Sequence, residues 1–432
     1  MTRRLSYEDA VAYLFGLQKY GIKFGLSKTS NLLKAFGNPH LHQKYIHIAG
    51  TNGKGSVAAM LESIWMNSGL KVALYSSPHL VRFTERFRIN GKEIPPGQVA
   101  DLVKDLKRVI DPTQPPTFFE VTTAMALIYF AREKPDISIM EVGMGGRLDA
   151  TNVIRPMASV ITNISLDHQS FLGPRLTDIA GEKAGIIKPG IDLVTAATQP
   201  QVIKVFSDTC KRRKAPFWRV GREIRYRRNG AQLNYYGMGR IERDLDLGLV
   251  GKHQLRNAAL TLAVIELIER RGFTVSSDHI REGLNKTRWP GRMQVVSKKP
   301  LIILDGAHNP DAMRNLVNSM RDAFQWKHLI LVLGIMGDKD IPKIIKRIVP
   351  IADYIIYTRP EYYRAAEPQV LMKEAAPLRK KGEIIPTIPE ALRKAKGRSE
   401  PGDVILVTGS LFTVGEAMAC LEPEAVQPDK LR

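Results

Sequence analysis

The sequence is poor in cysteine, in acid and in long apolar runs. Two cysteines, Cys210 and Cys420, in 432 residues cannot build a disulfide scaffold or a four-thiolate metal site. They suit a reducing cytoplasm. No stretch approaches the ~20 consecutive apolar residues of a membrane span, so no membrane partner is expected. Met1-Thr2-Arg3-Arg4 is basic, but Glu8 and Asp9 interrupt the apolar run that a secretory signal needs. There is no low-complexity tract and no internal repeat, which excludes a repeat architecture. Acids number 43 against 64 Lys+Arg, a formal net charge of +21. Taken alone, that excess suggests an anionic partner: nucleic acid, a membrane surface or a phosphorylated substrate.

What is present is a globular composition, 44% hydrophobic and 25% charged, which argues against a disordered or collagen-like chain. The length exceeds one ordinary core and suggests two or three domains. A strand over 45–49, a glycine turn, an amphipathic helix over about 57–67 closed by Gly69, and a strand over 72–75 form a βαβ unit. Buried-strand patterns at 137–142, 157–162 and 193–197 alternate with helical stretches such as 119–131 and 199–214. The pattern reads as a doubly wound parallel sheet. Between 222 and 247 it changes: strands at 225–228 and 232–236 flank Asn229-Gly230, a hairpin signal within a small antiparallel insertion. Helices are expected near 254–271 and 278–285. Trp289-Pro290-Gly291-Arg292 reads as a linker. After it, strands at 301–304, 329–333, 354–357, 383–385 and 404–408 restart the alternation as a second α/β domain. The expected division is 1–289 and 290–432.

The charge is uneven. Residues 290–432 carry 22 bases and 17 acids, a net of +5, so +16 lies in the first part. Half of that falls in residues 211–228, with nine bases against the single acid Glu223. Either this is a solvated face of the insertion or it receives an anionic partner.

Gly50-Thr51-Asn52-Gly53-Lys54-Gly55-Ser56 lies between a strand and a helix, the setting of a phosphate loop. Glycines let backbone N–H groups turn onto phosphate oxygens, Lys54 would neutralise the β/γ-phosphates, and Ser56 could face a magnesium ion. The spacing departs from the common pattern, with Ile48 where a glycine is usual and Gly55 directly after the lysine. Glu141 ends an apolar strand, where α/β sheets place ligand-binding groups. Read as a dinucleotide fingerprint, Gly143-x-Gly145 is poor, because Leu148 holds the third position. Glu141 therefore binds a metal or caps the following turn. His168 follows another strand and is either a third ligand or a structural loop histidine. Glu141, a hydroxyl and one histidine make an oxygen-rich site that favours Mg²⁺ over Zn²⁺.

These segments, together with Ser76-Ser77-Pro78-His79-Leu80, Thr117-Phe118-Phe119-Glu120, Gly181-Glu182-Lys183-Ala184-Gly185-Ile186, Asp305-Gly306-Ala307-His308-Asn309-Pro310 and Thr408-Gly409-Ser410, carry a resemblance over the whole chain. It resembles the folylpolyglutamate synthase/dihydrofolate synthase family, within the Mur ligase superfamily of ATP-dependent amide ligases. The resemblance implies a P-loop parallel-sheet ATPase domain with a small antiparallel insertion, followed by a Rossmann-like α/β C-terminal domain.

It also implies roles. Residues Gly50, Thr51, Asn52, Gly53, Lys54, Gly55 and Ser56 would bind ATP, with Asn257, Arg292, Asp305 and His308. Ser77, Glu141 and His168 would hold Mg²⁺, with Lys54, Lys183 and His168 in catalytic roles. Lys183 matches a lysine that is carbamylated in the superfamily, which would support a second Mg²⁺; unmodified, it would pair with Glu182 or phosphate. Thr117, Phe119, Asp149 and Ala150 match dihydropteroate-binding positions, although Phe119 also reads as a core aromatic. Ser410 resembles a glutamate-side residue.

The expected reaction phosphorylates the carboxylate of dihydropteroate, or of a folate γ-glutamyl tail. The amine of L-glutamate then attacks the acyl phosphate. A cytoplasmic monomer with both activities is expected. The rivals are polyglutamylation alone, a cell-wall precursor ligase, a Rossmann dehydrogenase and a basic nucleic-acid-binding ATPase. For the last, the sequence offers no recognition helix, arginine-rich tail or RNA-binding aromatic motif.

Overall fold

The computed structural model describes residues 5–21, 23–422 and 429. An eight-stranded sheet is built from β1 (Tyr45–Ala49), β2 (Val72–Tyr75), β3 (Phe87–Ile89), β4 (Lys92–Glu93), β5 (Ile137–Glu141), β6 (Ala158–Ile161), β7 (Asp192–Thr195) and β8 (Phe217–Arg219), in the order β4-β3-β2-β5-β1-β6-β7-β8. From β2 to β8 all neighbours are parallel, while β3 and β4 add an antiparallel edge. Every residue of β1, β2, β5 and β6 is buried, as expected of parallel strands covered on both faces. The strand after β1 in sequence lies beyond β5, so the order reverses beside β1. Ligand crevices of α/β sheets form at such points, outside the carboxyl ends of the strands.

The helix Lys54–Asn67 is apolar nearly all round because it lies between this sheet and the helices Lys252–Glu269 and Ser277–Lys286. It begins at Lys54, three residues before the periodicity suggested. The helix Phe118–Glu133 covers the other face. Thr117 caps it, accepting from the Glu120 N–H while Glu120 Oε2 accepts from the Thr117 N–H at 2.7 Å, a reciprocal cap worth about 1 kcal/mol.

The insertion is a separate three-stranded antiparallel sheet: β9 (Arg225–Asn229), β10 (Gln232–Tyr236) and β11 (Ile241–Leu245). The hairpin register pairs Gln232 with Asn229. The two loop residues are therefore Gly230 and Ala231, one position later than Asn229-Gly230. Gly230 takes φ 59° at the first loop position, where such turns want glycine. The highly charged β11 was not legible as a strand.

The second sheet holds β12 (Gln294–Lys298), β13 (Leu301–Asp305), β14 (Leu329–Leu333), β15 (Tyr354–Tyr357), β16 (Lys381–Ile384) and β17 (Val404–Thr408), ordered β12-β13-β17-β14-β15-β16. Only β12 is antiparallel. Separate apolar cores cover its two faces. At the change from one sheet to the other, the Arg88 guanidinium sits 4.7 Å over the Trp289 ring. Among the described residues no helix is long and apolar enough to cross a membrane.

Candidate functional site

The loop after β1 turns at Gly50, whose φ of 148° and position only a glycine tolerates: a Cβ there would lie 1.8 Å from Thr162 Oγ1. That hydroxyl donates to the Asn52 carbonyl at 2.6 Å, the Asn163 carbonyl accepts the Thr51 N–H at 2.9 Å, and Asn163 Oδ1 accepts the Asn52 N–H at 2.8 Å. The loop is thus held against the end of β6, with the N-terminus of the helix Lys54–Asn67 facing the space in front. An anion there meets backbone N–H groups and the positive end of the helix dipole.

That space is a cavity of about 160 Å³ between the carboxyl ends of both sheets. All of residues 50–56 line it, with Ser77, Glu141, His168, Lys183, Arg292, Asp305 and His308. Residues from the carboxyl ends of four strands of the first sheet, β1, β2, β5 and β6, therefore meet Arg292 of the linker, Asp305 at the end of β13 and His308 just after it. Lys54 curls back, donating to the Gly50 and Thr51 carbonyls at 3.2 and 3.4 Å. Ser56 Oγ accepts from Gln254 Nε2 at 3.3 Å, and Asn257 donates to Gln254 Oε1 at 2.9 Å. Asn257 thus stands behind the loop rather than in the cavity wall.

Glu141 is buried, which raises its pKa against the opposing pull of Lys54, the Ser77 N–H and Arg292. Its Oε2 accepts the Ser77 N–H at 3.3 Å. Burial also lowers His168, to about 4, despite the neighbouring Asp167 carboxylate; its imidazole is neutral and can act as a ligand. Lys183 is 4% exposed and donates to the Gly50 carbonyl at 3.0 Å. Burial, then the charge of Lys54, bring its pKa down to about 7. Among the described residues no group of three or more His, Cys, Asp or Glu side chains forms a metal cluster. The oxygen-rich set of Ser56, Ser77 and Glu141 with the His168 imidazole suits a hard dication that also takes phosphate oxygens.

On the opposite wall, Asp305 is buried, which raises its pKa against the charge of Arg292, and it accepts the Met293 and Ala307 N–H groups at 3.0 and 2.9 Å. His308 Nε2 lies 3.6 Å from Asp167. Asp167 also takes Lys339 Nζ at 2.8 Å and Asn309 Nδ2 at 3.1 Å. Burial alone would raise the Asp167 pKa, but His308, His168 and Lys339 together hold it well below the usual carboxylate range. Asn52 exchanges amide hydrogen bonds with Asn309 at 2.9 and 3.2 Å, and Ser165 donates to Asp311 at 2.9 Å. The two halves meet at the mouth of the cavity through these polar contacts, while Leu80 and Val81 of the first half also pack into an apolar core of the second sheet.

The four positions expected to hold a pterin stand outside this cavity wall. Phe119 packs edge-on against Gly143, where a Cβ would lie 2.3 Å from its ring, and Gly143 does line the cavity. Asp149 and Ala150 are buried. Asp149 caps a short helix: Oδ1 accepts the Thr151 N–H at 3.0 Å and hydroxyl at 2.5 Å, and Oδ2 accepts the Met144 N–H at 2.9 Å. Since the Thr151 hydroxyl donates to Asp149, His47 Nε2 donates to that oxygen, at 2.8 Å. The buried Thr117 is committed to its helix cap. Ser410, expected on the glutamate side, is 1% exposed, and its Oγ caps the helix Leu411–Leu421 by accepting the Thr413 N–H at 2.9 Å. Its hydroxyl is occupied, and the adjacent Leu411 reaches the cavity instead.

Sequence reasoning missed Gln254 and His253 in the cavity lining, Thr162 and Asn163 as braces, and Asn309, Asp311 and Lys339 as bridges. Asp167, the neighbour of the expected ligand His168, was given no role. Lys339, in the turn after β14, offered no local signal.

Residues 48–265 match the Mur ligase middle domain and 291–411 the Mur ligase glutamate ligase domain. The chain is 34% identical over 423 residues to a dihydrofolate synthase/folylpolyglutamate synthase of Bacillus subtilis, covering 95% of this chain and 98% of that one. It is similar to the structure of Escherichia coli FolC in complex with DHPP and ADP, with a TM-score of 0.87, 32% identity and coverage of 96% and 98%. A bifunctional folylpolyglutamate synthase/dihydrofolate synthase with Mn, AMPPNP and L-glutamate bound gives 0.86, 33% identity and the same coverage.

Proposed function

The chain belongs to the folylpolyglutamate synthase/dihydrofolate synthase family, and from that premise we propose how its own residues divide the work. It is an ATP-dependent amide ligase that adds L-glutamate to dihydropteroate and to folates. The observation that carries the assignment of roles is the convergence of residues 50–56, Glu141, His168, Lys183, Arg292, Asp305 and His308 on one cavity.

The backbone N–H groups of residues 50–56 and Lys54 hold the phosphates. Arg292, Asp305 and His308 fix the nucleotide from the second half, and Asn257 does so from behind the loop in the first. Ser77, Glu141 and His168 would hold the divalent cation, with Ser56 completing an oxygen-rich set. When bound, Mg²⁺ supplies charge neutralisation on the transferring phosphoryl group.

A free carboxylate is a poor electrophile. Phosphorylation gives the pteroate or γ-glutamyl carboxylate a leaving group, and the glutamate amine displaces phosphate from the acyl phosphate. Lys54 neutralises charge on the phosphoryl oxygens throughout. The halves 1–289 and 290–432 act as separate bodies that close through Asn52–Asn309 and Asp167–Lys339, excluding the water that would hydrolyse the intermediate.

Phe119 and Asp149 set the pterin side by shaping the Gly143–Met144 wall, and Ser410 positions the helix Leu411–Leu421 on the glutamate side. Lys183, about half neutral near pH 7, is a nucleophile for CO₂: the amine nitrogen bonds the carbon and loses a proton, leaving a carbamate anion that would support a second Mg²⁺. The enzyme works as a cytoplasmic monomer.

The test is isotopic. With heavy oxygen in the substrate carboxylate, the label should appear in the released phosphate. Label retained wholly in the amide product and water would contradict the acyl phosphate. Labelled bicarbonate should give a carbamate signal that Lys183→Met lacks.

A further inference from the structure

The cavity does not absorb the densest charge in the sequence, residues 211–228. The structure splits that run. Arg219 and Arg222 approach Glu223 at 3.7 and 3.1 Å, and Arg225, Arg227 and Arg228 lie along β9. The helix-end portion goes elsewhere. Arg212, Arg213 and Lys214, at the end of the helix Pro200–Arg213, line an open groove of about 510 Å³ together with Arg147 from the loop after β5. No carboxylate is among its lining residues.

Basic residues at a helix C-terminus complement the helix dipole and by themselves imply no ligand. Arg147 is different, because it comes from another part of the chain and is built into place. Its N–H donates to the Glu182 carbonyl at 2.7 Å. Asn152 Nδ2 donates to the carbonyls of both Arg147 and Gly185, at 3.0 and 3.2 Å. A Cβ at Gly185 would lie 2.3 Å from the Arg147 Cα. Glu182 Oε1 takes one edge of the guanidinium at 2.8 Å. Among the described residues Arg212, Arg213 and Lys214 form no ion pair. After burial, the charge of Arg213 helps bring the nearby Lys188 down to about 8.

The groove and the cavity are two sides of one wall. Gly145 and Lys183 line the cavity, while Arg147 and Ala184, two and one residues on, line the groove. We propose that this groove holds the γ-linked glutamates already added to a folate tail, each of which carries a free α-carboxylate. Every cycle returns a substrate with one more negative charge, and in the proposed reading the cavity already holds the nucleotide phosphates and the reacting carboxylate. The groove is lined by four cations, Arg147, Arg212, Arg213 and Lys214, of which only Arg147 is met by a carboxylate, that of Glu182. The proposal rests on the polyglutamylation reading.

The test uses the full chain and the double variant Arg212→Glu/Arg213→Glu, both exposed positions outside the cavity. Binding of a free γ-linked tetraglutamate peptide and of inorganic phosphate is measured by calorimetry, alongside KM for mono- and tetraglutamyl tetrahydrofolate. The peptide should bind the parent chain and lose about tenfold or more in the variant. The KM for the tetraglutamyl substrate should rise in parallel, and the KM for ATP and dihydropteroate should not move. Equal peptide binding by both proteins overturns the proposal, as does phosphate competing as well as the peptide. Folate turnover without groove-dependent peptide binding means the groove assignment fails. Groove-dependent binding without any folate turnover means the polyglutamylation reading fails, and with it the tail assignment. An unchanged melting temperature checks that the variant folds.

Discussion

Lys339 places its ammonium 2.8 Å from the Asp167 carboxylate, tying the turn after β14 in the second sheet to the loop after β6 in the first. Both side chains are nearly buried, 9% and 8% exposed. Removing Lys339 leaves the buried Asp167 carboxylate with only Asn309 and the histidines, a cost of about 3 kcal/mol at most. Lys339→Met should therefore lower stability by up to that amount and slow turnover by raising the KM for ATP. Chemical denaturation and initial rates check both. Asp167 adds a pH signature. Its pKa lies below the unfolded value, so its stabilisation is full above the ordinary carboxylate range and is lost as pH falls toward the folded value. Acid unfolding of Asp167→Asn should be less steep than that of the parent.

Lys54 and Glu141 should be separable from folding. Lys54→Ala removes the charge on the phosphoryl group and should cut ADP formation by at least ~10²–10³-fold. Glu141→Ala should do the same. Because burial raises the Glu141 pKa, its ionised form is destabilising as pH rises through the folded value. Glu141→Gln should therefore hold or raise the melting temperature of the metal-free protein near neutral pH. It should also lose the stabilisation that the parent gains from Mg²⁺ with nucleotide. A variant that stays active, or one that unfolds, would contradict the assigned role.

Lys183 gives a different pH window. Its folded pKa of about 7 lies below the unfolded value, so between those two values the unfolded chain binds the extra proton. Unfolding free energy should rise with pH across that window, by on the order of a few kcal/mol. Lys183→Met, which has no proton to lose, should flatten the rise. A Lys183→Met profile matching the parent would show that this amine is not the titrating group.

The chain from His47 through Thr151 to Asp149 predicts a substrate-specific defect. Thr151→Val breaks both hydrogen bonds and leaves buried groups unpaired, at a cost of about 1–3 kcal/mol. It should raise the KM for dihydropteroate while leaving that for ATP near normal. Parallel titration of the two substrates checks this, and an equal rise in both KM values would place the defect in the fold instead.

The glycine-rich turn between β1 and its helix, the parallel strands and the start of a second sheet were legible because each rests on local rules. Glycines and a lysine between a strand and a helix, continuous apolar runs such as Leu329–Leu333, and Pro-Gly after Trp289 need no distant partner. What escaped depends on partners far apart in sequence. Lys339 acquires its role only when the second sheet meets Asp167, and Gln254 only when its helix crosses behind Ser56. The strand β11 was hidden by its charges, because it pairs on a small sheet with Glu242 buried against Arg240, 3.0 Å away. The occupied hydroxyl of Ser410 shows the converse: a motif match located the helix start, and the backbone N–H of Thr413 had already claimed the side chain.

The most direct test of the account is product analysis with purified protein, ATP, Mg²⁺ and L-glutamate, supplied with either dihydropteroate or tetrahydrofolate. ADP release should be coupled one-to-one to a glutamylated product with each acceptor, and no product should form without glutamate. Turnover with tetrahydrofolate alone would contradict the dual activity, and no glutamylated product from either acceptor would contradict the ligase assignment itself.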